Sequence, residues 1–284
     1  MSSAINTQNS HSLLNPQNPL EYHSKGNVQE QRALENLANW EFNPTDFVLD
    51  IGCGPGTITA NVSKHVPYGS AIGLDLNPKM CNRANEVYSH SNLSFIVGDA
   101  HYLPFNEQFD KIICFAVLSW IPLEFHQQIF DEIARVLKIG GKALLRMTSE
   151  GARPLNIAVQ EVIKRPKWSP LFSNFASPAA YQNENRLREI SKQAGLTVVR
   201  IEDATKNAKF DSKEKFIDWL LTWEPHRLAV DELQRKEFMT EVVEEYCQQL
   251  HFDNTISITL PGILIEVEKK STFSQFSTQQ IIRA

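Results

Sequence analysis

The feature that most restricts this 284-residue chain is the stretch Val48-Leu49-Asp50-Ile51-Gly52-Cys53-Gly54-Pro55-Gly56. An apolar strand runs into a turn with three glycines, and the turn opens a helix expected over Thr57 to Val66. Such a junction brings main-chain N–H groups and a helix N-terminus to one point. A ligand can lie there against backbone that carries no side chains. The spacing separates ligand classes. A dinucleotide-binding turn has glycines at x, x+2 and x+5, whereas the fifth position after Gly52 is Thr57. No Gly-Lys-Ser/Thr follows, which excludes a phosphate-cradling P-loop.

Strand alternates with helix on either side of this turn. Val28 to Trp40 reads as a helix, with Ala33, Leu34, Leu37 and Trp40 on one face. Strands are expected at Phe47–Ile51, Ala71–Leu74, Leu93–Val97, Phe109–Phe115 and Lys142–Met147. Asn77-Pro78 starts a helix, with Asn77 as its cap and Pro78 at its first position. A further helix is expected over Leu123–Leu137, ending at Gly140-Gly141. This rhythm over 47–147 is that of a parallel sheet covered on both faces. Beyond Met147 it changes. Prolines and aromatics crowd 150–182, helices are expected at Glu184–Ala194, Ser212–Thr222 and Ala229–Gln249, and strands at Leu196–Ile201, Ile256–Leu260 and Ile263–Val267. The resulting division is an N-terminal tail (1–20), a ligand-binding α/β core (21–149), a helical cap (150–182 and 206–250), and segments completing the sheet (183–205 and 251–284).

Composition excludes several partners. With 42% hydrophobic and 21% charged residues the chain matches an ordinary soluble globular protein. A formal net charge of −5 gives no support to a nucleic-acid backbone as ligand. No apolar run reaches the ~18 residues that a membrane span requires, and residues 1–20 lack the features of a signal peptide. Cys53, Cys81, Cys114 and Cys247 form no CxxC pair, and the histidines show no HExxH spacing. The expectation is a reduced, cytosolic protein without a structural metal, whose Cys53, Cys81 and Cys114 are small buried side chains.

Ligands of open parallel sheets bind beyond the carboxyl ends of the strands. The first strand end carries the glycine turn. The second carries Asp75, whose carboxylate can accept from both hydroxyls of a ribose, or can cap the following helix. The third carries Gly98-Asp99-Ala100-His101, where Asp99 can accept from an amino group or simply stabilise a turn. The fourth carries Phe115-Ala116-Val117-Leu118-Ser119-Trp120.

These four segments, in this order over roughly 45–147, closely resemble the motifs of class I S-adenosylmethionine (SAM) dependent methyltransferases. The resemblance implies a Rossmann-like α/β fold, with a mostly parallel seven-stranded sheet and an inserted helical cap. It implies SAM as cofactor and S-adenosylhomocysteine as product. By that likeness Asp50, Gly52, Cys53, Gly54 and Gly56 line the methionine part of SAM. Asp75 holds the ribose, Leu76 and Met80 flank the adenine, Asp99, Ala100 and His101 meet its edge, and Phe115 faces the reactive end. Methylases of exocyclic base amines have an Asp/Asn-Pro-Pro-aromatic motif at the fourth segment, and Phe115–Trp120 lacks it.

Two narrower resemblances point to small-molecule acids. Tyr22 to Leu34, together with Phe109-Asp110-Lys111 through Trp120-Ile121, looks like insect juvenile hormone acid methyltransferases. Phe216-Ile217-Asp218-Trp219, Leu233–Gln249 and Ile256–Glu268 look like trans-aconitate methyltransferases. By the first likeness, Gln29 and the Trp120 indole N–H position the acceptor; an exposed helix site for Gln29 and core packing for Trp120 are the alternatives. Trp168, Phe172, Phe175, Tyr181, Trp219 and Trp223 suit either a lid over an apolar substrate or helical packing. Arg146 and Arg153 lie near the end of the fifth strand and suit extra acid groups, with the surface the expected place for each. A carboxylate acceptor is already deprotonated at pH 7 and needs no general base. A carbon or nitrogen acceptor, a quinone for example, needs one, for which His101 or Tyr22 is available. A third reading is a SAM-binding protein without catalysis.

Overall fold

A computed structural model describes residues 27–251 and 255–271. The expected tail at 1–20, Tyr22 and the residues from 272 onward lie outside that range. The chain divides into two compact units, one holding 29–149, 180–204 and the chain from 262, the other 150–179 and 205–261.

The first unit is built on strands β1 (Phe47–Ile51), β2 (Ser70–Asp75), β3 (Leu93–Val97), β4 (Phe109–Phe115), β5 (Leu137–Met147), β6 (Leu196–Asp203) and a last strand, Ile263–Lys269. Its seven-stranded sheet has the order β3-β2-β1-β4-β5, then Ile263–Lys269, then β6. The five strands from β3 to β5 pair in parallel, whereas Ile263–Lys269 runs antiparallel to both its neighbours. Strand order reverses between β1 and β4, so a crevice for ligands opens at their carboxyl ends. Both faces are apolar, as a covered parallel sheet requires. Leu49, Ile51, Ile112, Cys114 and Leu145 pack with Ile129, Phe130 and Ile133 on one side. Val48, Ile113, Leu144 and Leu264 pack with Leu37 and Trp40 on the other.

The helices of this unit are α1 (Asn27–Leu37), α2 (Thr57–Ser63), α3 (Pro78–Val87), α4 (His126–Val136) and, further along, Glu184–Gln193. At the start of α3, Asn77 is the cap, its side chain accepting from Lys79 N–H, and Pro78 stands at the first position. The expected helix Leu123–Leu137 is corrected: Leu123–Phe125 is a 3₁₀ turn, α4 stops at Val136, and Leu137 already begins β5. Gly140 and Gly141 lie inside that strand, where the pairing with β4 shifts register between Phe109 and Lys111. Glycine there accommodates an irregular strand rather than ending a helix.

The second unit contains α5 (Pro154–Ile163), α6 (Ser169–Phe172), and the helices Lys213–Trp223 and Glu232–Leu250. It also holds a two-stranded antiparallel sheet of β7 (Lys206–Phe210) and β8 (Ile256–Leu260). Ile256–Leu260, expected to help complete the main sheet, therefore belongs to a separate ribbon. Trp168, Trp219, Phe210, Phe216, Phe238 and Tyr246 form this unit's own core, with Phe172 and Trp223 packed against it. Helical packing, the second of the two explanations for these aromatics, accounts for Trp168 and Trp219, which are buried.

Asn77 is buried, so its cap is not replaced readily by water. Asn77→Ala is expected to lower the unfolding free energy by ~1 kcal/mol, with Asn77→Asp closer to wild type, as measured by urea titration.

Candidate active site

The glycine turn is stapled to β2 by its own amides. Gly52 and Cys53 N–H both donate to Leu74 O, at 2.7 and 3.1 Å, and Gly56 N–H donates to Cys53 O at 3.1 Å. Gly54 N–H donates to Asp75 Oδ2 at 2.9 Å. These donors are spent within the protein, which corrects the expectation that the turn offers bare N–H groups to a ligand. Gly52, Gly54 and Gly56 have φ of +73°, +53° and +87°, a region that side chains resist. The chain itself fills the space beside two of them. A Cβ on Gly52 would stand 2.0 Å from Val117 Cγ2, and one on Gly56 would meet Ala84 at 2.7 Å and Phe95 at 2.6 Å.

Three acids stand at the ends of the first three strands, Asp50 within β1, Asp75 closing β2 and Asp99 just beyond β3, each held by hydrogen bonds. Asp50 is buried and accepts from Thr59 Oγ1 at 2.6 Å, which ties β1 to α2. Burial pushes its carboxyl up to about 7, against the pull of the Thr59 hydrogen bond. Asp75 accepts from Gly54 N–H on one oxygen and from Asn77 N–H, at 2.8 Å, on the other. Burial raises its pKa, and the two main-chain hydrogen bonds oppose that shift. Asp99 Oδ1 accepts from the main-chain N–H of His101 at 2.9 Å and lies 2.6 Å from its Nδ1. The His101 ring meets Phe125 edge-on at 5.3 Å. Leu76 is partly exposed, whereas Met80, Cys53 and Ala100 are buried.

The wall after β4 is more elaborate than the sequence suggested. Phe115, half-buried, packs against the face that holds Leu37 and Trp40. Ala116 has φ +63°, a left-handed conformation for a residue with a Cβ, and its N–H donates to Arg146 O at 2.8 Å. A 3₁₀ turn, Leu118–Trp120, leaves Trp120 half-buried. His126 braces this turn. Its Nε2 lies 3.0 Å from Leu118 O and 2.8 Å from Ile121 O. Both partners are acceptors, so Nε2 carries the proton and Nδ1 accepts from Gln182 Nε2 at 2.6 Å. Burial pushes the imidazole pKa down, which keeps it neutral. Ser119 Oγ accepts from Thr148 N–H at 2.9 Å, and Ser119 O from Ala180 N–H at 2.8 Å. No motif marked His126 or Gln182; a histidine opening an apolar helix pattern reads as ordinary packing.

The remaining candidates are placed as follows. Gln29 lies on α1, and its side chain is outside the described ones. Arg146, expected at the surface, is buried, as is Arg32 on α1. Among the described residues no group of three or more His, Cys, Asp or Glu stands as a metal site, and no helix is long and apolar enough to cross a membrane.

A sheet of this order, closed by one antiparallel strand and carrying a glycine turn at its reversal point, defines a Rossmann-like methyltransferase core. Comparison with known proteins agrees. Residues 48–141 match the family described as methyltransferase domain. A demethylmenaquinone methyltransferase of Lactobacillus johnsonii is 33% identical over 178 residues, 55% of this chain and 70% of that protein. A trans-aconitate 2-methyltransferase of Shigella dysenteriae is 24% identical over 257 residues, covering 87% of this chain and 96% of that one. The crystal structure of the YcgJ protein of Bacillus subtilis shares the fold, with a TM-score of 0.57 at 21% identity, over 85% of this chain and 99% of that one. The chain belongs to the class I SAM-dependent methyltransferases, and SAM is its cofactor.

Two outcomes follow from the turn. Gly52→Ala combines a strained φ with a clash against Val117, and is expected to lower stability by about 1–3 kcal/mol, read from thermal and urea unfolding. For Asp50 the sign is set by a raised carboxyl. The native group keeps its proton up to about 7, whereas the unfolded one releases it near 3.9. The unfolded chain therefore binds fewer protons in that window, and rising pH removes stability there at up to ~1.4 kcal/mol per pH unit. In Asp50→Asn that loss disappears. Relative to wild type, its unfolding free energy should climb between pH ~4 and ~7 and stay level above.

Proposed function

We infer that this enzyme methylates a carboxylate oxygen of a small-molecule acid. The observation that carries the reading is the state of the titratable groups at the strand ends. Asp50, Asp75 and Asp99 are each engaged by hydrogen bonds inside the protein, the last with His101. Such a site favours an acceptor that arrives deprotonated, and a carboxylate does so at pH 7. The likeness to trans-aconitate 2-methyltransferases along most of both chains supports the same class of acceptor.

The residues fit the cofactor. Each Asp75 oxygen accepts one main-chain hydrogen bond, and a carboxylate oxygen can take two. Its carboxylate therefore retains capacity for the paired hydroxyls of a ribose. The side-chain-free turn at Gly52, Gly54 and Gly56, with Cys53 between and Asp50 bracing it from below, would receive the methionine part. Leu76 and Met80 would flank the adenine, with Asp99, Ala100 and His101 at its edge. When bound, SAM supplies an electrophilic methyl group on a sulfonium. Phe115 would form the wall beside it, and the Trp120 indole N–H, with Gln29, would orient the acceptor oxygen. Holding that oxygen ~3 Å from the methyl carbon and excluding water supplies the rate. The unpaired, buried state of Cys53, Cys81, Cys114 and Cys247 supports a cytosolic, reducing setting.

A second reading, methylation of a quinone carbon, is favoured by the 33% identity to a demethylmenaquinone methyltransferase. The His101–Asp99 pair would then serve as base. Labelled methyl transfer from SAM to panels of acids and quinols separates the two: a base-labile product supports the ester reading, and a base-stable one the quinone reading. Trp120→Phe is expected to lower turnover roughly tenfold or more with SAM affinity unchanged. Equal activity would return Trp120 to packing alone.

A further inference from the structure

Two arginines of the sheet unit are buried without an ion pair among the described residues. Arg32, on α1, is 8% exposed and Arg146, near the end of β5, is 9% exposed. Arg32 Nη2 is inaccessible and has no hydrogen-bond partner. The bond recorded for the Arg146 guanidinium is a long one, 3.4 Å from Nη2 to Ala204 O. Neither guanidinium forms an ion pair among the described residues. Another buried arginine, Arg227, is better bonded: its Nη1 donates to Glu224 O at 2.9 Å.

The two groups lie toward the end of the sheet where ligands bind. Arg146 is the register partner of Phe115, and its carbonyl receives the N–H of Ala116. Leu144, two residues earlier, packs on the face that α1 covers with Leu37, and side chains two apart in a strand share a face. Arg146 therefore points to the α1 side, where Arg32 lies. The absence of a side chain at Gly262 makes room for it, since a Cβ there would fall 2.8 Å from Arg146 Nη2. Burial, with the neighbouring charge of Arg146, lowers the Arg32 pKa to about 10 against the opposing pull of Glu35. Arg32 therefore remains cationic at neutral pH. The one carboxylate that acts on Arg32, Glu35 of the same helix, is exposed to solvent, so the two buried like charges are poorly compensated, and a planar carboxylate is the partner that a guanidinium fork matches best.

We propose that Arg32 and Arg146 together form a site for a ligand carboxylate at this end of the sheet. Two ligands can bring that group, the methionine portion of SAM or a polyacid acceptor through a carboxylate that is not methylated. The site rests on the methyltransferase reading above, and deepens it.

Calorimetry on the purified full chain tests the proposal with matched pairs of probes: S-adenosylhomocysteine against its α-carboxamide, and tricarballylate against its triamide. In wild type, one pair should favour the carboxylate about tenfold or more, and Arg32→Gln and Arg146→Gln should each erase most of that preference. Preference within the first pair assigns the site to the cofactor, and within the second to the acceptor. No preference in either pair, or a preference that both variants retain, overturns the proposal. The wild-type comparison needs no variant, so it stands even where Arg146→Gln fails to fold; Arg146→Lys then supplies a charge-retaining control. Binding of 5′-methylthioadenosine, which lacks the amino-acid portion, keeps the two readings apart. If it binds and no carboxylate is preferred, only the arginine site fails. If it gives no heat, the nucleoside site fails first.

Discussion

The Asp75 carboxylate is the joint on which this end of the sheet depends. One oxygen fixes the glycine turn through Gly54 N–H and the other fixes the start of α3 through Asn77 N–H. Next to it in sequence, Leu74 O takes the N–H groups of both Gly52 and Cys53. Two crossovers of the sheet, one after β1 and one after β2, are thereby locked to each other at the level where ligands bind. Hydrogen bonds to a carboxylate are stronger than neutral ones, and they offset the desolvation that raises the Asp75 pKa. On the proposed reading, a ribose arriving at this group would meet acceptors already fixed in place. Little ordering remains to be done on binding, which is where rigid sites gain affinity.

The other side of the crevice is fixed by different means. Ala116 is held in a left-handed conformation, a strain that persists only where the surroundings determine it fully. Here they do: its N–H is bonded to Arg146 O, and Val117 beside it presses into the space left open by Gly52. His126 and Ser119 then fasten the following turn from beneath. Gly52 thus serves the close approach of two protein segments, and only through them the shape of a ligand site. Val117 is the residue that makes the first glycine of the turn indispensable.

The sequence revealed what short range controls. Asn77-Pro78 states a helix start in two residues, and β3 and β4 occupy the residues that their apolar runs indicate. The acids at the strand ends were visible because each ends an apolar run. What stayed hidden depends on partners distant in the chain. The alternation at Ile256–Leu260 marks a strand, but nothing local says that it pairs with Lys206–Phe210 rather than with the main sheet. Gly140-Gly141 looks like a helix stop because glycine usually is one, yet an irregular strand uses it equally well. The burial of Arg146 was equally invisible, since it depends on α1 from more than a hundred residues earlier and on the bare Gly262. The amides of Gly52, Cys53 and Gly54 were misjudged for the same reason: their acceptors belong to β2.

Charge is distributed unevenly along this edge. Asp50, Asp75 and Asp99 stand at the ends of β1, β2 and β3, and the buried Arg32 and Arg146 lie on the side of β5. On the proposed reading, the acidic half suits the cationic donor and the basic half a carboxylate brought by either reactant. The sheet then sets the two reactants side by side before chemistry begins. Transfer breaks the carbon–sulfur bond and forms a carbon–oxygen bond, leaving a neutral thioether and an ester where a sulfonium and a carboxylate stood. A reaction that annihilates opposite charges is assisted by a dry, low-dielectric setting, where separated charges are least stable. An arrangement built from fixed acids, fixed arginines and an immobile glycine turn can therefore bind, react and release without a base to reset between cycles.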